Sequence, residues 1–220
     1  MTRKFRSLVI DIDSTLSAIE GIDWLAAQRG ETIRTQVAES TKRAMRGEIP
    51  IASVFGSRLS LVAPSREEIE QLGAEYIARV QPDAKESLTT LANAGLRIIL
   101  VSAGLYEAVL PLAHHLGIRD ADVNAVHLRF TNDGAYAGFD EDSPLTRNGG
   151  KAVVVRSLGL DHAILGVGDG ITDLEIRTAD PPAIDAFAAY TGVVTRKEVV
   201  SRADYVIQNF KELVAIVLAD

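Results

Sequence analysis

Ser7-Leu-Val-Ile-Asp-Ile-Asp-Ser-Thr15 opens the chain with a short apolar run that ends in a pair of acids. An unbroken apolar run of this length reads as a parallel strand buried on both faces. The acids stand where such a strand leaves the sheet, and open α/β sheets bind ligands at the carboxyl ends of their strands. Two carboxylates at i and i+2 repel each other in a dry site unless a cation or a proton intervenes. Taken alone, Asp11 to Thr15 has a plainer alternative, an Asx-type turn that closes a strand.

Working outward, similar runs recur at Arg97-Ile-Ile-Leu-Val101 and Ala163-Ile-Leu-Gly-Val167, with a shorter one at Tyr205-Val-Ile207. Helical patterns lie between them, one of them with Asp83 and Glu86 at capping-box spacing, Leu88 and Leu91 on one face, and a stop at Gly95. Strands alternating with helices predict a doubly wound α/β fold with a parallel sheet. The spacing is uneven. About 85 residues separate Asp11 from the run at Arg97, whereas a βαβ unit takes roughly 30 to 40. The excess is helical in pattern. Ser65-Arg-Glu-Glu68 forms a second capping box followed by Ile69, Leu72, Tyr76, Ile77 and Val80, while Ile51, Val54, Phe55, Leu59 and Val62 make another stripe, and Gly30 ends a helix over Ile22 to Arg29. The expected organisation is a core of residues 1–16 and 81–220 with a helical cap, 17–80, inserted after the first strand. A small β-hairpin is expected over Val126 to Phe139, turning at Asn132-Asp-Gly134.

Composition bounds the partners. The chain has 220 residues, 47% of them hydrophobic, and 23 Lys+Arg against 30 Asp+Glu give a formal charge of −7. An acidic chain of this kind is not built to neutralise a nucleic-acid backbone, but a phosphorylated small substrate needs only a local positive site. No cysteine is present, which excludes disulfides, thiolate catalysis and Cys-ligated metals. No apolar run approaches ~18 residues, so no membrane partner is expected. No long apolar stretch follows the basic start, so the expected compartment is the cytoplasm.

The other strand ends carry matching chemistry. Val101-Ser102-Ala103-Gly104 places a hydroxyl and small residues where a strand opens a helix, a seat for an anion or simply a helix cap. Gly149-Gly-Lys151 opens another helix with a cation at its positive end, which is unfavourable unless an anion lies beside it. Gly168-Asp-Gly-Ile-Thr-Asp173 follows the third strand with two more carboxylates, hard oxygen donors that suit magnesium. Each segment has a plainer reading by itself. Their coincidence at successive strand ends, in this order, is what gives them weight. Arg58 lies i+4 from Val54 and i+3 from Phe55, on the apolar and therefore inward face, where a snorkelling arginine is the plain alternative. His114 and His115 point to different faces of one helix, and Gly166-Val-Gly-Asp-Gly170 puts an acid where a dinucleotide would need its pyrophosphate; neither suggests a site.

This order resembles the haloacid-dehalogenase superfamily of phosphohydrolases and, within it, the phosphoserine phosphatases. The resemblance is carried by Asp11-Ile-Asp-Ser-Thr15, Glu20-Gly-Ile-Asp23, Thr41-Lys-Arg-Ala-Met45, Ser57-Arg-Leu59, Tyr136-Ala-Gly-Phe-Asp140, Gly149-Gly-Lys151 and Gly168-Asp-Gly-Ile-Thr-Asp173. It implies that Asp11 attacks phosphorus to form an aspartyl-phosphate and that Asp13 protonates the leaving oxygen, then deprotonates water. It implies Mg²⁺ held by Asp11, Asp169 and the Asp13 backbone carbonyl with Asp173 in support, and phosphoryl oxygens gripped by Ser102 and Lys151. For a phosphorylated amino-acid substrate it assigns the carboxylate to Arg58 and the ammonium to Glu20. Met45, Ala103, Gly104, Thr172 and Arg196 match further substrate-contact positions, Ala103 replacing the usual glycine. The competing readings are a sibling phosphatase or phosphotransferase acting on another small phosphomonoester, and a receiver-like phospho-acceptor module. Asp13 and a substantial cap argue against the latter, since a switch that must stay phosphorylated needs no acid/base and no lid.

Overall fold

The computed structural model describes residues 4–45, 49 and 51–219. Its centre is a six-stranded parallel sheet in the order β3-β2-β1-β6-β7-β8. The strands are β1 (Ser7–Ile10), β2 (Arg97–Leu105), β3 (Val123–Val126), β6 (Ile164–Gly168), β7 (Ala186–Tyr190) and β8 (Tyr205–Ile207). β1 pairs with β2 through Ser7–Arg97 to Ile10–Leu100 and with β6 through Ser7–Ile164 to Ile10–Val167. All four of its residues are buried, and removing a side chain such as Leu8 or Ile10 would forfeit about 2–5 kcal/mol. Strand order reverses at β1, running to β2 and β3 on one side and to β6, β7 and β8 on the other. With right-handed crossovers, that reversal sends the connecting helices to opposite faces and leaves a crevice above the carboxyl ends of β1 and β6.

The helices that wind the sheet are α5 (Ala84–Asn93), α6 (Tyr106–His115), α7 (Gly150–Ser157), α8 (Ile171–Thr178), α9 (Lys197–Val200) and α10 (Phe210–Leu218). Between β1 and β2 the chain also makes α1 (Gly21–Ala27), α2 (Glu31–Met45), α3 (Ile51–Val62) and α4 (Arg66–Ala78). Entry to and exit from these four helices lie side by side, because Ala18 N–H donates to Arg79 O and Gln81 N–H to Leu16 O, each at 2.9 Å. α4 starts at the expected capping box: Ser65 Oγ accepts from Glu68 N–H at 3.3 Å and Glu68 Oε2 accepts from Ser65 N–H at 2.8 Å. α4 then packs against α6, and the Gly73 Cβ position would lie only 3.2 Å from Ala108 O. A two-stranded hairpin, β4 (Leu128–Phe130) with β5 (Tyr136–Phe139), buttresses the inserted helices. Phe139 meets Phe55 edge-on at 5.3 Å, and Arg66 donates its backbone N–H to Gly134 O at 2.9 Å.

The α/β class, the inserted helices and the hairpin agree with the sequence reading, with four local corrections. β3 and β7 were not expected as strands; β7 is Ala-Phe-Ala-Ala-Tyr, a composition with little β-propensity that is held in the sheet by neighbours on both edges. Val126 belongs to β3 and not to the hairpin, which begins at Leu128. Asp83 makes no cap on α5; its Oδ2 accepts from Lys211 N–H at 2.9 Å and so serves α10 instead. Finally, β2 runs on past Ser102 to Leu105 with a register irregularity, and α6 starts only at Tyr106. Ser102 therefore sits on an extended segment, not at a helix start. Among the described residues no helix is long and apolar enough to cross a membrane.

Candidate active site

The carboxyl ends of β1, β2 and β6 and the starts of α7 and α8 meet the inserted helices around one pocket of about 120 Å³. Asp11, Asp13, Glu20, Arg58, Ser102, Ala103, Lys151, Asp169, Thr172, Asp173 and Arg196 all line it. Gly104 stands just behind the lining, its Cβ position 3.6 Å from Asp13 Oδ2. Met45 ends α2, but its side chain lies outside the described residues.

The sheet side is a buried charge network. Lys151 is 5% exposed; its Nζ donates to Asp173 Oδ1 at 2.6 Å and lies 2.8 Å from Asp11 Oδ1. Only the Asp173 contact has hydrogen-bond angles, so Asp11 Oδ1 is paired by charge and left without a directed partner. That explains the lysine at a helix start: the carboxylates of β1 and α8 lie beside it. Gly168 makes this approach possible, because a Cβ there would stand 2.3 Å from Asp173 Cγ. Asp173 Oδ2 accepts from Gly170 N–H at 2.9 Å. Asp169 accepts from Thr15 Oγ1 at 3.3 Å on one oxygen and from Arg196 Nε at 2.9 Å on the other.

Carboxylate oxygens of Asp11, Asp169 and Asp173 lie within 4.8 Å of one another, and all three residues are buried. Burial first, and then Asp11, push the Asp169 carboxyl up to about 6 and the Asp173 carboxyl up to about 8. Burial alone would depress the Lys151 ammonium, but Asp11 and Asp173 hold it above its ordinary value. Three acids thus face the Lys151 ammonium and the Arg196 guanidinium, and Asp11 Oδ1, held only by charge, keeps a lone pair for a further partner. This donor set fits a hard divalent cation.

Asp13 is held differently. Its Oδ1 accepts from Gly21 N–H at 3.2 Å and from the Tyr76 hydroxyl at 2.6 Å. Burial, and secondly Glu20, raise its carboxyl well above the usual range. Ser14, at φ +53°, turns the chain so that its Oγ donates to Glu20 Oε1 at 2.7 Å; a left-handed serine beside two acids is strain of the kind found at functional sites. At the exposed pocket mouth, partial desolvation and the neighbouring carboxylates Asp169, Asp11 and Asp23 raise the Glu20 carboxyl above its usual range.

The helical side presents Arg58, whose Nη1 donates to Thr41 Oγ1 at 2.9 Å while its Nε has no partner. Asp23 Oδ1 is likewise buried and unpartnered. Among the described residues, the buried side-chain polar atoms lacking a hydrogen bond are Asp11 Oδ1, Asp23 Oδ1 and Arg58 Nε, and all belong to residues lining this pocket. Sequence reasoning did not single out Thr15, Thr41, Asp23 or Tyr76. The first three sit inside motifs whose signal comes from other residues. Tyr76 was read as part of an apolar stripe, where only its hydroxyl hinted that a buried phenol needs a partner.

The haloacid dehalogenase-like hydrolase family matches residues 8–176. The phosphoserine phosphatase of Bos taurus is 38% identical over 210 residues, covering 94% of this chain and 91% of its own. A phosphoserine phosphohydrolase-like protein from Francisella tularensis superposes with a TM-score of 0.86 at 24% identity, over 97% of this chain and 100% of that one. A substrate-bound phosphoserine phosphatase complex superposes with a TM-score of 0.79 at 24% identity, over 98% of this chain and 100% of that one. The chain belongs to the haloacid dehalogenase-like hydrolases, as its motifs led one to expect.

Proposed function

We propose that this hydrolase is a magnesium-dependent phosphoserine phosphatase, releasing L-serine and phosphate from O-phospho-L-serine through an aspartyl-phosphate on Asp11. The observation that carries the reading is the set of buried atoms without a hydrogen bond facing one pocket: a carboxylate oxygen at Asp11, paired only by charge with Lys151, a guanidinium nitrogen at Arg58 and a second carboxylate oxygen at Asp23. A ligand that satisfies all three brings an electrophile, an anion and a cation, which is the make-up of a phosphorylated amino acid. The pocket volume of about 120 Å³ is on the scale of a small metabolite. The Bos taurus relative bears the same activity in its name.

In this reading residues 17–80 act as the cap that recognises the substrate, and residues 1–16 and 81–220 as the core that reacts with it. Arg58, steadied by Thr41, takes the substrate carboxylate, and Glu20 with Asp23 takes the ammonium. Ser102 and Lys151 hold phosphoryl oxygens while Asp11 attacks. Asp13, its carboxyl raised by burial, gives its proton to the departing serine oxygen and then takes one from the water that frees Asp11. Mg²⁺, held by Asp11, Asp169 and the Asp13 backbone carbonyl with Asp173 in support, would supply positive charge against the phosphoryl oxygens. Arg196 neutralises Asp169, and Thr172 borders the phosphate.

Phosphate release from a panel of phosphorylated metabolites, with purified protein and Mg²⁺, tests the reading. O-Phospho-L-serine is expected to be the best substrate. A clear preference for a phosphomonoester lacking the amino-acid end would reassign the chain to a sibling phosphatase. Transfer of the phosphoryl group to an added alcohol in place of water would make it a phosphotransferase.

A further inference from the structure

Tyr76 is fully buried on α4, yet its hydroxyl donates the 2.6 Å hydrogen bond to Asp13 Oδ1 across 63 residues of sequence. The same oxygen accepts from Gly21 N–H at 3.2 Å. Two donors in this arrangement occupy the accepting capacity of Oδ1. A proton carried by Asp13 therefore resides on Oδ2, the oxygen that lies near Gly104 and the Ser102 wall of the pocket.

The arrangement is built. A Cβ at position 21 would stand 2.2 Å from the Tyr76 hydroxyl, so only glycine there leaves room for it. Ser17 Oγ donates to the backbone carbonyl of Tyr76 at 3.1 Å. The close packing of Gly73 on Ala108 and Pro111 seats α4 on the core beneath it. The phenol is thus delivered to Asp13 from a fixed base. An aspartate χ2 torsion is otherwise broad, and an unrestrained carboxyl would present either oxygen to the substrate.

We propose that Tyr76 is a positioning residue that locks the rotation of the Asp13 carboxyl, so that Oδ2 alone exchanges protons with the leaving group and with water. This rests on the reading of Asp13 as the leaving-group acid. In the first half-reaction the Oδ2–H bond breaks and its proton goes to the substrate oxygen as that oxygen parts from phosphorus. In the second, Oδ2 takes a proton from the attacking water. Tyr76 keeps its own proton throughout, and Oδ1 is kept off both substrate and metal.

Tyr76→Phe retains the ring and deletes only the donor. It is expected to lower kcat/KM for O-phospho-L-serine by ~10- to 30-fold, the scale of losing one charge-assisted hydrogen bond and some alignment. An aryl phosphate, whose leaving group needs little protonation, should lose less than ~3-fold. Because kcat/KM reports only steps through departure of the leaving group, the shared dephosphorylation step does not blur the contrast. In an Asp13→Asn background, Tyr76→Phe should change kcat/KM for O-phospho-L-serine by less than ~2-fold, since the group it positions no longer carries the proton. Equal losses on both substrates, no loss on O-phospho-L-serine, or a full further loss in the Asp13→Asn background would each overturn the proposal and leave Tyr76 a packing residue. If Asp13→Asn by itself penalises both substrates equally, the reading of Asp13 fails first, a result distinct from any given by Tyr76→Phe.

Discussion

The two walls of the pocket are finished to different degrees. On the sheet wall Lys151, Asp173, Asp169, Thr15 and Arg196 are already paired with one another at 2.6–3.3 Å, and Asp11 Oδ1, though without a hydrogen bond, is held by charge 2.8 Å from Lys151. On the helical wall Arg58 Nε and Asp23 Oδ1 are buried without partners. The first wall is a preorganised electrostatic frame that changes little when a reaction passes through it. The second is completed only by what binds. The nucleophile with its charge network and the recognition groups are thereby carried by different stretches of chain, and substitutions should separate them: changes to Asp11 and the charge network should fall on every phosphomonoester alike, and changes to Arg58 or Asp23 should depend on the substrate.

Asp11→Asn should break the frame outright. The amide is no nucleophile, and phosphate release should fall on the order of 10⁴-fold or more for every substrate. Circular dichroism should show an unchanged fold, and residual activity within tenfold of wild type would refute the covalent route. Removing Mg²⁺ with a chelator should likewise silence all substrates, and Ca²⁺ should restore little, because its six to eight ligands and looser geometry misplace Asp11. Full activity in excess chelator would take the metal out of the mechanism.

Arg58→Ala sharpens the contrast. Losing a charge-assisted hydrogen bond of about 1.5–3 kcal/mol should reduce kcat/KM for O-phospho-L-serine roughly 10- to 150-fold. A carboxylate-free phosphomonoester should change only a few-fold. Arg58→Lys should recover part of the loss, since an ammonium lacks the planar fork. Equal falls for both substrates would mean that Arg58 supports the helices and recognises nothing.

Glu68→Gln gives the smallest effect and touches neither wall directly. Glu68 is joined to Arg29 by two hydrogen bonds, the Nη2–Oε2 one at 2.6 Å, while Arg29 Nε donates to Val62 O at 2.8 Å, tying α1, α3 and α4 together. The hydrogen bonds from Arg29 lower the Glu68 carboxyl from 4.5 to about 2. A depressed folded-state value means that the stabilisation is fully present above pH 4.5 and is lost as pH falls toward 2. With both side chains about a quarter exposed, solvent screening reduces the contribution to about 1–2 kcal/mol. Glu68→Gln should therefore lower Tm by roughly 2–8 °C near neutrality, and the gap from wild type should close on acidification between pH 5 and pH 2.5. A gap that stays constant over that range would detach the effect from ionisation. The ratio of catalytic constants for the two substrates should not move.

How much of this was legible in the chain follows the same division. β1, Asp11, Asp13, Lys151, Asp169 and Asp173 are readable because local sequence alone sets a strand end, a helix start or a glycine turn. The inward face of α3 shows Arg58 through its 3.6-residue period. What could not be read depends on partners remote in sequence: β7 takes its conformation from β6 and β8, Asp83 serves α10 and not its own helix, and Tyr76 meets Asp13 only after α4 has packed on α6. An amphipathic pattern says that Tyr76 points inward, and it cannot say which carboxylate waits there.

The paired hydrogen bonds Ala18–Arg79 and Gln81–Leu16 have a consequence in polymer terms. The ends of the segment carrying α1–α4 are already closed against each other, so the sheet does not sense how much chain is threaded between them. Doubling a closed loop adds only about 0.6 kcal/mol of closure entropy. That junction is a socket: a differently sized or differently lined pair of helices could replace α2 and α3 while α1 and α4 kept Gly21 and Tyr76 on Asp13 and Asp11, Lys151 and Asp173 stayed in register. Substrate choice could then diverge among such chains without retuning the phosphoryl chemistry beneath it.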